Sequence, residues 1–226
     1  GFRFLDKEGK ILETGNGKIL MEVASIDTSF VHPDLRTSHF TVACDVQNPF
    51  YGLEGAAYIF APQKGADRKM VEALDAGMKN FAEVIFHTTG KDISNHSGTG
   101  AAGGMGGSLL AFLNAKLKPG IQLMLETLDF SNKIKGADLI ITGEGKAEKQ
   151  TLMGKVTSGI LDNGRKQKIP VILIAGSVEN ADDLHRAGFR GVYSINPPSI
   201  TLEQAMQPEV ARANISETVV EICRSF

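Results

Sequence analysis

Glu144, Lys146, Glu148, Gln150 and Lys155 place five polar side chains around the glycines of DLIITGEGKAEKQTLMGK, residues 138–155. Lysines suit phosphate groups, and carboxylates suit the metal ion that travels with them. The apolar run Leu139, Ile140 and Ile141 has the form of a buried parallel strand. Gly143 and Gly145 on either side of Glu144 predict a sharp turn after residue 142, with a helix beginning near Gln150. A ligand at such a corner lies beyond the carboxyl end of the strand, where an open α/β sheet has its crevice. Many corners of this kind bind nothing, so the other polar constellations matter.

Three more stand out. Asp45, followed by Asn48-Pro49, ends an expected strand over 40–46. An aspartate there can hold Mg²⁺ or accept a proton from a hydroxyl, although on pattern alone an Asx turn is the simpler account. Lys64, in Pro62-Gln63-Lys64-Gly65, precedes an expected helix and can reach an anion at its N-terminus. A solvated loop lysine explains it as simply. The stretch 98–107, GTGAAGGMGG, follows no plain strand and is not followed by Lys-Ser or Lys-Thr. It is therefore neither a dinucleotide fingerprint nor a Walker A loop. The backbone at Gly103, Gly104, Gly106 and Gly107 can approach a phosphate, or these small residues can let a helix pack closely on its neighbour; both accounts stay open. The five histidines lack the spacing of a helix-borne zinc pair, and no Gly-x-Ser-x-Gly elbow is present.

The elements that must position these residues change character along the chain. Short hydrophobic pieces over 2–29, separated by DKEG and GNG, fit small β elements, with 19–25 also open to a helix. Met70, Leu74, Met78, Phe81 and Ile85 recur at steps of three and four, which predicts a helix over 67–87 capped by Asp67. Shorter helices are expected in 98–115 and 121–128. After residue 137 the expected order is strand 138–142, helix 150–166, strand 170–175, helix 180–187, strand 191–195 and helix 209–224. This alternation is the pattern of a parallel sheet with crossover helices. The change places a domain boundary near 130, giving a first α/β domain over 1–130 and a second over 131–226.

With 226 residues, 42% hydrophobic and 22% charged, the chain can bury a full core. A net charge of −2 gives no footprint for nucleic acid or an anionic membrane. No apolar run approaches the ~20 residues of a membrane span, and no signal peptide is visible. Cys44 and Cys223 lie far apart and read as free buried thiols in a reducing, cytoplasmic compartment. The chain opens at Gly1 without a methionine, so an N-terminal part is expected to be missing.

Taken together, ACDVQNPFYGLEGAAYIFAPQKGA (43–66), GTGAAGGMGGSLLAFLNAKLKPG (98–120), DLIITGEGKAEKQTLMGK (138–155) and PVILIAGS (170–177) resemble the bacterial glycerate kinase family. The motifs stand in that family's order through most of the chain. The resemblance implies a flavodoxin-like (Rossmann-like) parallel-sheet domain, here partial, and an inserted α/β domain likened to restriction endonucleases. It implies ATP with Mg²⁺, and D-glycerate as phosphoryl acceptor, yielding 2- or 3-phosphoglycerate. On this basis Asp45, Lys64, Glu144 and Lys146 are the expected catalytic residues, with Asp45 and Glu144 serving the metal. Gly103, Gly104, Gly106, Gly107, Gly143, Gly145 and Lys155 are the expected cofactor contacts. The family usually shows Gly-Glu-Gly-Arg-x-Asp where this chain has Lys146 and Glu148, and commonly proline where Thr157 stands. A non-catalytic sugar-acid or nucleotide-binding module and an inactive piece of a kinase are the alternatives. Self-association into a homo-oligomer stays open.

Overall fold

The computed structural model describes residues 1–152 and 156–226. The chain divides into two compact units, Gly1–Gly120 and Ile121–Phe226. No helix among the described residues is long and apolar enough to cross a membrane.

The first unit is built on one long helix. Its strands are β1 (Arg3–Leu5), β2 (Ser25–Asp27), β3 (Thr41–Ala43) and β4 (Lys116–Lys118), and its helices are α1 (Ala56–Phe60), α2 (Arg68–Thr89) and α3 (Ala101–Leu113). Asp67 accepts a hydrogen bond from the Met70 N–H at 2.8 Å and starts α2, and Gly90, in the left-handed region, ends it. The expected apolar face is there: Met78, Phe81 and Ile85 are buried with Val71 and Ala82. They pack with Val23, Ile26, Phe50, Ile93 and Ala111 in one core. Met70, placed on the same stripe by its spacing, is exposed because it lies in the first turn of α2, beyond that core.

The N-terminal pieces form β1 and β2, paired antiparallel, with a 3₁₀ turn at Gly17–Met21 between them. β3 pairs with β4 in parallel, a strand that periodicity does not reveal because only three residues form it. Backbone bonds carry the ladder from Phe40 to Cys44 and no further. The expected strand to Val46 is cut short because the Gly120 N–H, the next donor in register, goes to the Asp45 side chain instead of the ladder.

The second unit carries α4 (Gly120–Thr127, entering from the boundary), α5 (Phe130–Lys133), β5 (Ile140–Ala147), α6 (Val156–Gln167), β6 (Val171–Val178), α7 (Ala181–Ala187), β7 (Gly191–Ser194), α8 (Leu202–Ala205) and α9 (Pro208–Ser225). β5, β6 and β7 pair in parallel, as the alternation predicts, and they stand in the order β5-β6-β7. Right-handed crossovers through α6 and α7 are the expected connection for such pairs. Val171, Leu173, Leu161, Leu184 and Phe189 are the buried centre. Gly188, with φ +106°, stops α7 where expected. Both cysteines are free, but Cys223 is exposed on α9 rather than buried.

One element departs from expectation at the residues of most interest. The chain does not turn at Gly143–Gly145. β5 runs straight through them, with Glu144 beside Ala175 and Lys146 beside Ser177 on β6. Gly143 answers a close approach instead, whereas a Cβ on Gly145 would meet nothing within 4 Å. A Cβ on Gly143 would stand 3.0 Å from the Ile174 carbonyl oxygen, and one on Gly176 would stand 2.7 Å from that of Gly145. Near Gln150, the expected start of a helix, Lys149–Leu152 forms a 3₁₀ turn, and α6 is described from Val156.

Candidate active site

The C-terminal half of β5 presents Glu144 and Lys146 at alternate positions, so they share one face of the sheet, and Glu148 follows just past the strand's end. Lys146 lies between two carboxylates, at 3.2 Å from Glu148 Oε2 and 3.0 Å from Glu179 Oε1. Hydrogen bonds and charge from Glu179 and Glu148 hold its pKa above the ordinary lysine value. Glu179 follows β6 at the same rim, and sequence reasoning passed over it. Its signal is positional: it stands just beyond the carboxyl end of a parallel strand, where such sheets collect functional groups.

Glu144 differs from its neighbours. Its Oε1 is buried and has no hydrogen-bond partner among the described residues. A buried carboxylate oxygen without a donor is costly, and such a group marks a place where a cation or a ligand donor belongs. Gly143 and Gly145 flank it in extended strand. Lys155, expected to contact the cofactor, lies outside the described residues.

Gly176 and Ser177 complete this rim from β6. The Asn196 amide donates to the Gly176 carbonyl at 2.8 Å and accepts from Asn214 on α9 at 3.0 Å. This relay ties the strand end to the last helix.

In the first unit, Asp45 follows the β3 ladder and is exposed. Its Oδ1 accepts the Gly120 N–H at 2.7 Å, so this carboxylate meets the first residue of α4, not its own turn. The local Asx reading is thereby replaced by a long-range bond. Asn48 is likewise structural in its amide, which donates to the Glu54 carbonyl at 2.9 Å. Lys64 is exposed at the end of the 3₁₀ turn Pro62–Lys64, which Gly65 closes at φ +92°.

The glycine-rich stretch resolves into two kinds of residue. Ala102, Gly103 and Gly104 all have positive φ, a left-handed kink at the start of α3. Beyond it, the packing account holds for three glycines. A Cβ on Gly104 would fall 2.8 Å from Met78 and from Phe50, one on Gly107 would fall 2.6 Å from Phe50, and one on Gly106 would fall 2.3 Å from the Gly98 carbonyl oxygen. Gly103 is exposed with nothing within 4 Å of a Cβ position. Of the four, it is the one whose backbone stands open. At the far end of α3, Lys91 donates to the Leu110 and Ala111 carbonyls and to Asn114 at 3.1, 3.2 and 2.9 Å. It holds the helix C-terminus in the orientation that the dipole favours.

No cluster of three or more His, Cys, Asp or Glu side chains placed to hold a metal occurs among the described residues. Mg²⁺ does not need one: it is commonly held by one or two carboxylates, with water and phosphate oxygens filling the other positions. The orphaned Glu144 oxygen fits that role.

The family profile described as "Glycerate kinase family" matches residues 1–226. A glycerate kinase of Halalkalibacterium halodurans is 41% identical over 208 residues, covering 92% of this chain and 54% of that protein. The glycerate 2-kinase of Escherichia coli K12 is 39% identical with the same coverage, 92% and 54%. A crystal structure from Salmonella typhimurium LT2, provisionally named glycerate kinase 2, superposes with a TM-score of 0.78 at 37% identity, over 99% of this chain and 59% of that one. The chain thus spans little more than half the length of these relatives.

Proposed function

We propose that this chain, which belongs to the glycerate kinase family, serves the transfer of the ATP γ-phosphoryl group to a hydroxyl of D-glycerate. The relatives' names supply the substrate class. The observation that carries the chemistry is Glu144, whose buried Oε1 has no partner among the described residues and lies in the C-terminal half of a parallel strand. Phosphoryl transfer asks a protein for positioning and charge neutralisation more than for covalent chemistry. Mg²⁺, when bound, neutralises phosphate charge and aligns the transferred group. Glu144 holds that metal, directly or through water. Asp45 orients the acceptor hydroxyl or adds a metal contact with the carboxylate that also meets Gly120. Lys64, Lys146 and Lys155 meet phosphate or the glycerate carboxylate, and the open backbone at Gly103 approaches the phosphates. The Escherichia coli relative's name favours 2-phosphoglycerate over 3-phosphoglycerate as the product.

The architecture fits this reading. The three parallel strands β5-β6-β7 represent the C-terminal part of a flavodoxin-like domain, and the first unit represents the inserted, restriction-endonuclease-like one. A cytoplasmic location is part of this reading, since ATP is its phosphoryl donor.

One observation favours a second reading, a non-catalytic sugar-acid or nucleotide-binding module. Lys146 is engaged by two carboxylates, so the positive charge expected to meet phosphate is already neutralised within the protein. A coupled ADP-release assay with and without D-glycerate separates the two. Glycerate-dependent release supports the kinase. ATP binding without release, in this chain and in a version extended to the relatives' length, supports the module.

A further inference from the structure

A pocket of about 540 Å³ opens in the first unit, between the Gly17–Met21 turn, the Pro62–Lys64 turn and α2. Its walls include Met21, Met70, Ala73 and Leu74, and its charged lining residues are Lys18 and Lys64, with no Asp or Glu among them. The volume is that of a site for a ligand of drug-like size.

The walls are held in place by bonds already made. Asn16 caps the Gly17–Met21 turn, accepting the Lys18 and Ile19 N–H groups at 2.9 and 3.3 Å. Asn80 on α2 donates to the Leu20 and Val23 carbonyls at 2.8 and 2.9 Å, which fixes that turn to the helix. Gly17 sits so close to α2 that a Cβ would meet the Leu74 side chain at 2.5 Å. On the other side, the Lys64 and Ala66 N–H groups both bond to the Ala61 carbonyl, at 3.0 and 3.2 Å. Both lysines therefore stand on backbone that is fixed before any ligand arrives.

We infer that this pocket seats the base of a purine nucleoside phosphate, with its phosphates turned to Lys18 and Lys64. The choice of ligand rests on the kinase reading; the shape and charge of the pocket do not. Methionine thioethers at 21 and 70 make favourable contacts with an aromatic ring. Two ammonium groups match a polyphosphate, whereas a simple carboxylate needs only one. A neutral apolar ligand would leave both charges unused.

Calorimetric titration of ADP into the chain tests this, with adenosine and decanoate as controls and no glycerate present. Ala73 is exposed on α2, so Ala73→Trp fills the pocket without entering the core. The expected result is saturable ADP binding that Ala73→Trp abolishes and that Lys18→Ala weakens about tenfold, the size of one lost charge-assisted contact. Adenosine should bind more weakly than ADP, and decanoate should not displace it. An unchanged thermal midpoint shows that each variant is folded. Absent ADP binding, equal binding to Ala73→Trp, or displacement by decanoate overturns the pocket assignment. Glycerate-dependent ADP release alongside any of those results leaves the kinase reading intact. ADP bound in this pocket, with no such release, keeps the site and overturns the kinase.

Discussion

The Asp45 carboxylate accepts the backbone N–H of Gly120 at 2.7 Å, joining residues 75 positions apart in sequence. The bond gives Asp45 a structural duty beside its proposed chemical one, and two substitutions separate them. Asparagine keeps an oxygen that can accept the same N–H and is as good a cap as aspartate; alanine keeps nothing. Asp45→Ala should therefore cost about 1 kcal/mol of stability, while Asp45→Asn should cost little. If the charge of Asp45 serves metal or hydroxyl, both variants lose turnover. Denaturant titration paired with an ADP-release assay reads the two effects, and full activity in Asp45→Asn would confine the residue to its structural role.

Glu144→Gln removes the charge and keeps the shape. Loss of a metal-holding carboxylate should lower turnover at least about 100-fold and raise the Mg²⁺ concentration for half-maximal rate. Stability should not fall, because the buried oxygen has no donor among the described residues to lose. Near-normal kcat at ordinary Mg²⁺ would remove Glu144 from the metal site.

Lys146 provides a pH test. Glu179 and Glu148 raise its pKa above 10.5, the ordinary lysine value. A lysine with a raised folded-state value contributes stability that is complete below the unfolded value and is lost as pH rises through the folded one. The window therefore opens above pH 10.5. Glu179→Gln should bring the Lys146 midpoint down, as followed by NMR of its side-chain ¹³Cε. A midpoint that does not move would show that the ion pair is not kept in solution.

The glycines near the start of α3 should not respond alike. Gly104 has φ +99° and faces Phe50 and Met78 at 2.8 Å from a Cβ position, so Gly104→Ala adds a clash to backbone strain. A cost of about 2 kcal/mol or more is expected. Gly103 shares the left-handed backbone but faces open space, so Gly103→Ala should cost about 1 kcal/mol and Gly103→Asn less. Chemical denaturation of the three variants measures this. Equal losses at 103 and 104 would contradict the packing seen at Phe50.

The sequence made the long, periodic elements legible. α2 carries its own cap at Asp67 and a stripe wide enough to fix its face, and the strand–helix alternation after residue 137 predicts that β5, β6 and β7 form a parallel sheet. Local composition could not tell a turn from a close approach. Gly143 and Gly145 look the same in either case, and only the Ile174 and Gly176 backbone beside them decides for a strand. β4 escaped for want of length, and the Asp45–Gly120 bond because nothing local announces a partner so far along the chain. Glu179 required knowing which strand ends lie side by side. The polar residues of the candidate site were visible as types; their neutralisation or orphaning by neighbours was not.

The pairing of β3 with β4 also bears on the order in which the first unit assembles. Two strands of three residues each must find one another across more than half of the unit. Closing so long a loop costs entropy that a handful of backbone bonds repay poorly, so distant contacts of this kind depend on structure formed earlier. α2, held by contacts three and four residues apart, is the natural scaffold to precede it. The Asp45–Gly120 bond needs the same two distant segments side by side, so it is expected to form no earlier than the β3–β4 pairing itself.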